Sequence, residues 1–231
     1  MSKHIPRIFC NALKDDIFRI PEYHTVHVVS VMRLKEGSQF LAFNSEDGEW
    51  LCAIESIKKS EIIARKIELI RTYKPTKPVA IGICIIKPDN LKLVIEKCTE
   101  LGVTDFYLIR SKYTNATCNL EKLKLISILA TEQSERLDIP KLHEEMNIKE
   151  FVCNLPEGYK WYSAIERLAP KPYSITSEPT GFIIGPEGGF SESEKDLLKS
   201  YTTPICISKN VLRSETAAIV CAAISELFAI F

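Results

Sequence analysis

Glycine is scarce in this chain: there are nine in 231 residues, yet Gly185, Gly188 and Gly189 fall within five positions. The arrangement excludes the common nucleotide loops. Neither the G-x-G-x-x-G of a dinucleotide fold nor the G-x-x-x-x-G-K-[ST] of a P-loop is present, and no Lys follows the glycines to hold a β- or γ-phosphate. Net charge is also missing, with 30 Lys and Arg against 30 Asp and Glu, so no strong global field draws nucleic acid to the whole surface. No C-x-x-C occurs among eight scattered cysteines, most of them in apolar runs where Cys behaves as a small hydrophobe. With no secretory signal in view, this reads as a reducing, cytoplasmic setting without a zinc site. His24 and His27 are too isolated to suggest another metal. The longest apolar stretch, Ala217 to Phe231, is broken by Ser225-Glu226. It falls short of the ~20 residues that span a bilayer, so it reads as a buried helix and not an anchor.

With 45% apolar residues the chain can bury a proper core. Residues 1–78 carry 13 Lys and Arg against 10 Asp and Glu, which slightly favours the N-terminal part as the phosphate-facing surface. From about 17 to 71 the pattern is β. Strands over Gln39–Phe43, Trp50–Ile57 and Ile62–Ile70 are separated by turn signals at Ser45–Gly48 and Lys58–Glu61, which implies a small barrel. The stretch Tyr73 to Pro78 holds two prolines and no apolar periodicity, and marks a linker. The domains are therefore expected at 1–74 and 79–231.

After the linker the pattern alternates β and α, as in a parallel sheet covered by helices. Val79–Ile86 reads as a strand buried on both faces. A helix from Asp89 or Asn90 ends at Gly102 as an αL C-cap, and a strand follows near Asp105–Ile109. A helix over Leu120–Leu137 places Leu120, Leu123, Ile126, Leu129, Ala130, Gln133 and Leu137 on one stripe. Tyr159–Ile165 is a further strand.

Two strand-end loops close the chain. The apolar run Gly181–Ile184 meets Gly185-Pro186-Glu187-Gly188-Gly189, and Ser191 with Glu194 has capping-box spacing. Pro204–Ile207 then leads through Val211-Leu212-Arg213 to Ser214, expected to cap the last helix. Side by side, two such loops make one pocket in which backbone N–H groups can receive a ligand.

The strings Gly185-Pro-Glu-Gly-Gly-Phe-Ser-x-x-Glu and Leu212-Arg-Ser-Glu-Thr-Ala resemble the RsmE family of S-adenosylmethionine-dependent methyltransferases, which modify uridine N3 in 16S ribosomal RNA. Four further elements agree in order: Ile5-Pro-Arg-Ile-Phe9; His27 with Val31-Met32-Arg33; Glu96-Lys-Cys-Thr-Glu-Leu-Gly-Val103; and Glu132-Gln133-Ser134-x-Arg136 before Ile139-Pro140. The chain departs from the family at Lys209-Asn210, where Gly-Pro is usual, at Ser214 for Thr, at Ser30 for Arg, and across Leu108–Thr117. Asn tolerates the left-handed region and Ser keeps the hydroxyl.

The resemblance implies an α/β protein: an N-terminal PUA-like β-barrel and a C-terminal SPOUT parallel-sheet domain with a deep trefoil knot, dimerising through the knotted region. It implies S-adenosylmethionine bound by Ile184, Gly185, Pro186, Glu187, Gly188 and Gly189 with Leu212, Ser214, Glu215 and Thr216, and a third wall from Trp161 to Ile165. Arg213 is the candidate catalytic residue for a developing uracil oxyanion, with Glu187 the candidate proton acceptor. Arg7, Arg33 and Arg136 are candidates for RNA phosphates, although Glu132 and Arg136 by spacing alone make an i,i+4 ion pair. The expected partners are 16S rRNA within the small subunit and a second copy of the chain. The alternatives are a SPOUT methyltransferase of another RNA and an RNA-binding assembly factor without catalysis.

Overall fold

A computed structural model describes residues 5–58, 61–165 and 178–230, apart from the side chains of residues 26, 27 and 228–230. Its contacts divide the chain into two units: Met1–Pro75 with Thr131–Ile139, and Thr76–Ala130 with Pro140–Phe231.

The first unit is built on a five-stranded sheet of β1 (Arg7–Phe9), β2 (Ile17–Arg19), β3 (Gln39–Asn44), β4 (Gly48–Lys58) and β5 (Glu61–Arg71), in the order β1-β3-β4-β5-β2. The β3–β4 hairpin turns where the sequence carries its turn signal. Asn44 Oδ1 accepts the N–H groups of Glu46 and Asp47 at 2.9 and 2.6 Å, an Asx turn. Gly48 then takes φ +84°, and a Cβ there would lie 2.6 Å from the Arg71 carbonyl oxygen. A short helix, α1 (Glu22–Val26), runs into a π-helical turn at His27–Val31. Ile8, Phe18, Phe40, Cys52, Ile54 and Ile62 form the core. Of the turn expected at Lys58–Glu61, residues 59 and 60 lie outside the described residues.

The unit also takes in Thr131–Ile139, a segment that the proline-rich stretch does not reveal. Arg7 explains why. Its Nη1 donates to the carbonyl oxygens of Thr131 and Glu132 at 3.2 and 2.8 Å, and its Nη2 to that of Arg136 at 2.9 Å.

The second unit holds a six-stranded sheet, all parallel, of β6 (Val79–Cys84), β7 (Asp105–Arg110), β8 (Lys141–Asn147), β9 (Lys160–Ala164), β10 (Thr180–Ile184) and β11 (Thr203–Ile205). The order is β11-β9-β10-β6-β7-β8. Every residue of β6 and β10 is buried, because helices cover both faces. Alternate side chains part into two cores. Val79, Ile81, Ile83, Phe182 and Ile184 pack with α2 (Pro88–Glu100) and α6 (Ser214–Ile230). Ala80, Cys84, Tyr107, Ile109 and Ile183 pack with α4 (Ile148–Cys153) and α5 (Glu192–Tyr201).

Several local expectations change. Helix α3 (Leu120–Gln133) stops four residues early, with Glu135 at φ +61°. Leu129 and Gln133 are exposed, and the buried stripe is Leu123, Ile126, Ser127 and Ala130. β8 and α4 were not expected. α6 starts at Ser214 itself, and the Arg213 carbonyl accepts the Ala217 N–H at 2.9 Å, so Arg213 and not Ser214 holds the N-cap position.

Candidate functional site

In a parallel sheet every strand points its carboxyl end the same way, and ligands bind at that edge where the strand order reverses. Here β9, β10, β11 and β6 all deliver loops to one place, and two adjoining cavities open there.

The larger, of about 1000 Å³, is walled by Ala164 and Ile165 at the end of β9, Ile184 to Phe190 (Glu187 excepted) from the end of β10, and Ile205 to Leu212 with Ser214 and Ala217 from the end of β11 onward. Glu192, Lys195 and Lys199 of α5 complete it. The smaller, of about 350 Å³, is lined by Lys87, Asn90, Pro186, Glu187, Val211, Leu212, Arg213, Ser214 and Glu215. Pro186, Val211, Leu212 and Ser214 belong to both, so they form the wall between.

The glycine loop is shaped by close approach. The Gly189 N–H donates to the Pro186 carbonyl at 2.9 Å, closing a turn with Gly189 at φ +70°. A Cβ on Gly185 would lie 3.1 Å from the Phe190 ring, and one on Gly188 would lie 3.1 Å from Tyr113 Cβ. Glu194 fastens the loop to its neighbour. Its Oε2 accepts the Ser191 N–H and hydroxyl, each at 2.8 Å, while its Oε1 accepts the Lys112 N–H at 2.8 Å. The carboxylate thus fills the capping-box role and ties the segment after β7 beneath the loop.

The expected site residues divide between the cavities. Ile184, Gly185, Gly188 and Gly189 line the larger, Pro186, Leu212 and Ser214 line both, and Glu187, Arg213 and Glu215 line the smaller. Thr216 is exposed and lines neither; helical periodicity turns Ala217 inward in its place. Of the expected third wall only Ala164 and Ile165 reach the larger cavity, since Trp161 is buried among Tyr107, Phe151 and Tyr159. Lys209 and Asn210 line the larger cavity, where Ser208 Oγ accepts the Asn210 N–H at 3.0 Å. Sequence reading missed Lys87, Asn90, Lys195, Lys199 and Tyr113. Lys87 follows a buried strand of a parallel sheet, which was the available signal.

The three arginines expected to grip phosphates differ. Arg33 is exposed at φ +54° in the first unit. Arg7 requires correction: it is buried, and its Nε donates to Glu49 Oε1 at 2.7 Å. Arg136 is largely covered, its Nη2 donating to Asp138 Oδ2 at 2.6 Å. The expected Glu132–Arg136 pair does not form because α3 has already ended; Glu132 Oε1 instead accepts the Phe9 N–H at 2.8 Å and lies 2.9 Å from His24 Nε2. That imidazole nitrogen is close enough to pair in charge but is not aligned for a hydrogen bond.

Residues 72–226 match the model of an RNA methyltransferase domain, and residues 26–67 match that of an RNA methyltransferase PUA domain. The ribosomal RNA small subunit methyltransferase E of Rickettsia conorii is 34% identical over 208 residues, which cover 86% of this chain and 84% of that one. The Bacillus subtilis protein of the same name is 27% identical, covering 91% and 92%. Among solved structures, a methyltransferase from Legionella pneumophila in complex with bound SAM superposes with TM-score 0.88 at 24% identity, over 98% of both chains. Ribosomal RNA small subunit methyltransferase E from Neisseria gonorrhoeae, bound to S-adenosylmethionine, gives 0.86 at 21%, over 97% and 98%. These two likenesses are of fold. Among the described residues no helix is long and apolar enough to cross a membrane, and no cluster of metal-ligating side chains occurs.

Proposed function

Because the chain belongs to the ribosomal RNA small subunit methyltransferase E family, we propose that it transfers the methyl group of S-adenosylmethionine to N3 of a uridine in 16S ribosomal RNA of the small subunit. The observation that carries this reading is the pair of adjoining cavities, one of cofactor size and one of nucleobase size, divided by Pro186, Val211, Leu212 and Ser214.

The residues present fit an adenosyl cofactor in the larger cavity. Ile165, Ile184, Phe190, Ile205 and Leu212 give apolar walls to a heteroaromatic base, and Ser208, Asn210, Glu192 and Lys199 give polar partners to ribose and amino-acid groups. The bound cofactor supplies an electrophilic methyl group on a sulfonium. Holding donor and acceptor against one wall gives the orientation that a displacement needs. Arg213, exposed and lining the smaller cavity, is positioned to hold the uracil oxygens as negative charge develops.

The first unit is read as the RNA-gripping module, with Arg33 its remaining arginine candidate. The second is read as the knotted form of its fold, acting as a cytoplasmic homodimer. The expected threading involves in part residues 166–177, which lie outside the described residues. The apolar composition of α6, with Leu227 left 54% exposed, supports dimerisation.

The test is transfer from labelled S-adenosylmethionine to small ribosomal subunits lacking the modification, followed by nucleoside mass spectrometry. Recovery of 3-methyluridine is expected. A different methylated nucleoside would remove the N3 assignment. No transfer with cofactor bound would put an RNA-binding assembly factor in its place.

A further inference from the structure

Given the uridine-N3 reading above, on which this inference rests, we infer that Glu215 accepts the N3 proton of the target uracil. Three carboxylates line the two cavities. Glu192 is exposed and paired with Lys195 at 2.7 Å on its own helix. Glu187 is exposed, and its Oε1 takes the Lys87 N–H at 3.4 Å. Glu215 differs from both: it is 7% exposed, lines the smaller cavity, and its Oε2 is buried with no hydrogen-bond partner among the described residues. A buried carboxylate oxygen without a donor is unfavourable for the empty protein, and its natural completion is a donor carried in by a ligand.

The remaining lining says which ligand. The side chains of Arg213, Lys87 and Asn90 supply donors around the same small cavity. A carboxylate acceptor among donors complements a nucleobase edge that presents N–H between two carbonyl oxygens. Uracil has that edge at O2, N3–H and O4. Cytosine presents an unprotonated N3 and an amino group, so its lone pair would meet the carboxylate and its N–H groups would meet the cations. The cavity therefore selects the base as well as the proton.

The step balances within this site. The N3–H bond breaks, its electron pair stays on nitrogen and its proton passes to Glu215. The excess charge is spread over O2 and O4 and held by Arg213. That pair then forms the N3–CH3 bond, while the pair of the methyl–sulfur bond returns to sulfur. Glu215 gives its proton to water once the product leaves.

The experiment compares wild-type protein with Glu215→Gln on RNA carrying either uridine or 5-fluorouridine at the target position. Fluorine makes N3–H more acidic and lessens the need for a base. Glu215→Gln should keep its unfolding temperature and bind S-adenosylmethionine and RNA within about threefold of wild type, while transfer to uridine falls by about 100-fold or more. The defect should shrink at least about tenfold on the fluorinated RNA, and should also lessen as pH rises. An equal defect on both substrates, wild-type turnover, or lost cofactor binding would each overturn the assignment. If Glu215→Gln does not fold, Glu215→Asp carries the same comparison, with a smaller defect that fluorine again relieves. The product of the wild-type reaction separates the two claims: a nucleoside other than 3-methyluridine would remove the functional reading itself, whereas 3-methyluridine with an unrelieved mutant defect would remove only Glu215.

Discussion

Arg7 Nε donates to Glu49 Oε1 across 2.7 Å, with only 4% of either side chain exposed. Arg71 approaches the same carboxylate from outside, its Nε 2.6 Å from Oε2. The three side chains lock β1, β4 and β5 together, and the other nitrogens of Arg7 are taken by carbonyl oxygens of Thr131, Glu132 and Arg136. A guanidinium so engaged, buried and with four of its five N–H groups taken, holds the first unit together and is not presented to a phosphate. Removing Arg7 strips Glu49 of its buried partner and three carbonyl oxygens of their donor, which costs about 3–5 kcal/mol. Arg7→Ala should lower stability by about that amount in urea unfolding. An unchanged midpoint would return Arg7 to the candidates for RNA contact.

The same carboxylate sets a pH dependence. Burial pushes the Glu49 carboxyl up, but hydrogen bonds and charge from Arg71 and Arg7 more than reverse this, leaving it below its ordinary value. Asp47 is also held down, first by its hydrogen bond from Asn44 and, against some burial, by the Leu13 N–H. Groups depressed in the folded state contribute stability that is present above their unfolded values, about 3.9 for Asp and 4.3 for Glu, and lost as pH falls through the folded ones. Unfolding midpoints should therefore be level above about pH 5 and fall below about pH 4. In Asp47→Asn and Glu49→Gln variants that fall should be shallower. An acid limb as steep as wild type would show that other carboxylates govern it.

Two glycines of the second unit separate crowding from backbone conformation. A Cβ at Gly181 would lie 2.5 Å from the buried Trp161 ring, which is packed on several sides. Gly181→Ala overpacks the core and should cost about 1–3 kcal/mol. At Gly189 nothing lies within 4 Å of a Cβ, but φ is +70°. Gly189→Ala meets only the left-handed penalty, about 1–2 kcal/mol, and should weaken cofactor binding through the loop more than it lowers stability. Isothermal titration beside thermal unfolding distinguishes the two.

Much of this was legible because it is local. The Asx turn before Gly48, the Ser191–Glu194 capping box and the continuous burial of β6 and β10 depend on residues a few positions apart. Arg7 was misread because its partner lies 42 positions away, and an arginine's residue type does not reveal whether it is paired. The stripe on α3 failed at Leu129 because Leu125 and Leu129 are apolar yet exposed, so the helix offers no single apolar face. Lys87 and Asn90 were out of reach for a different reason. Their place beside Arg213 follows from strand order, which puts β6 next to β10 although about 100 residues separate the loops that meet.

Arg213 is where local and distant information converge. It holds the N-cap position of α6, so its carbonyl accepts the Ala217 N–H and its backbone is fixed. Its side chain is exposed along the smaller cavity and, among the described residues, has no ion pair or hydrogen bond that would divert it, unlike Arg7 or Arg136. Truncation should leave the backbone bond and the walls of the larger cavity intact, so Arg213→Ala is expected to fold normally and to bind S-adenosylmethionine within about threefold of wild type. Methyl transfer should fall by about 100- to 1000-fold, the range for losing one donor to a developing oxyanion. Arg213→Lys should recover little, because an ammonium cannot reach two uracil oxygens with a planar fork. Single-turnover transfer on small subunits, read with cofactor affinity, makes the decision. Wild-type turnover in Arg213→Ala would take this residue out of the mechanism, and equal losses in cofactor affinity and transfer would move it to the wall of the cofactor cavity.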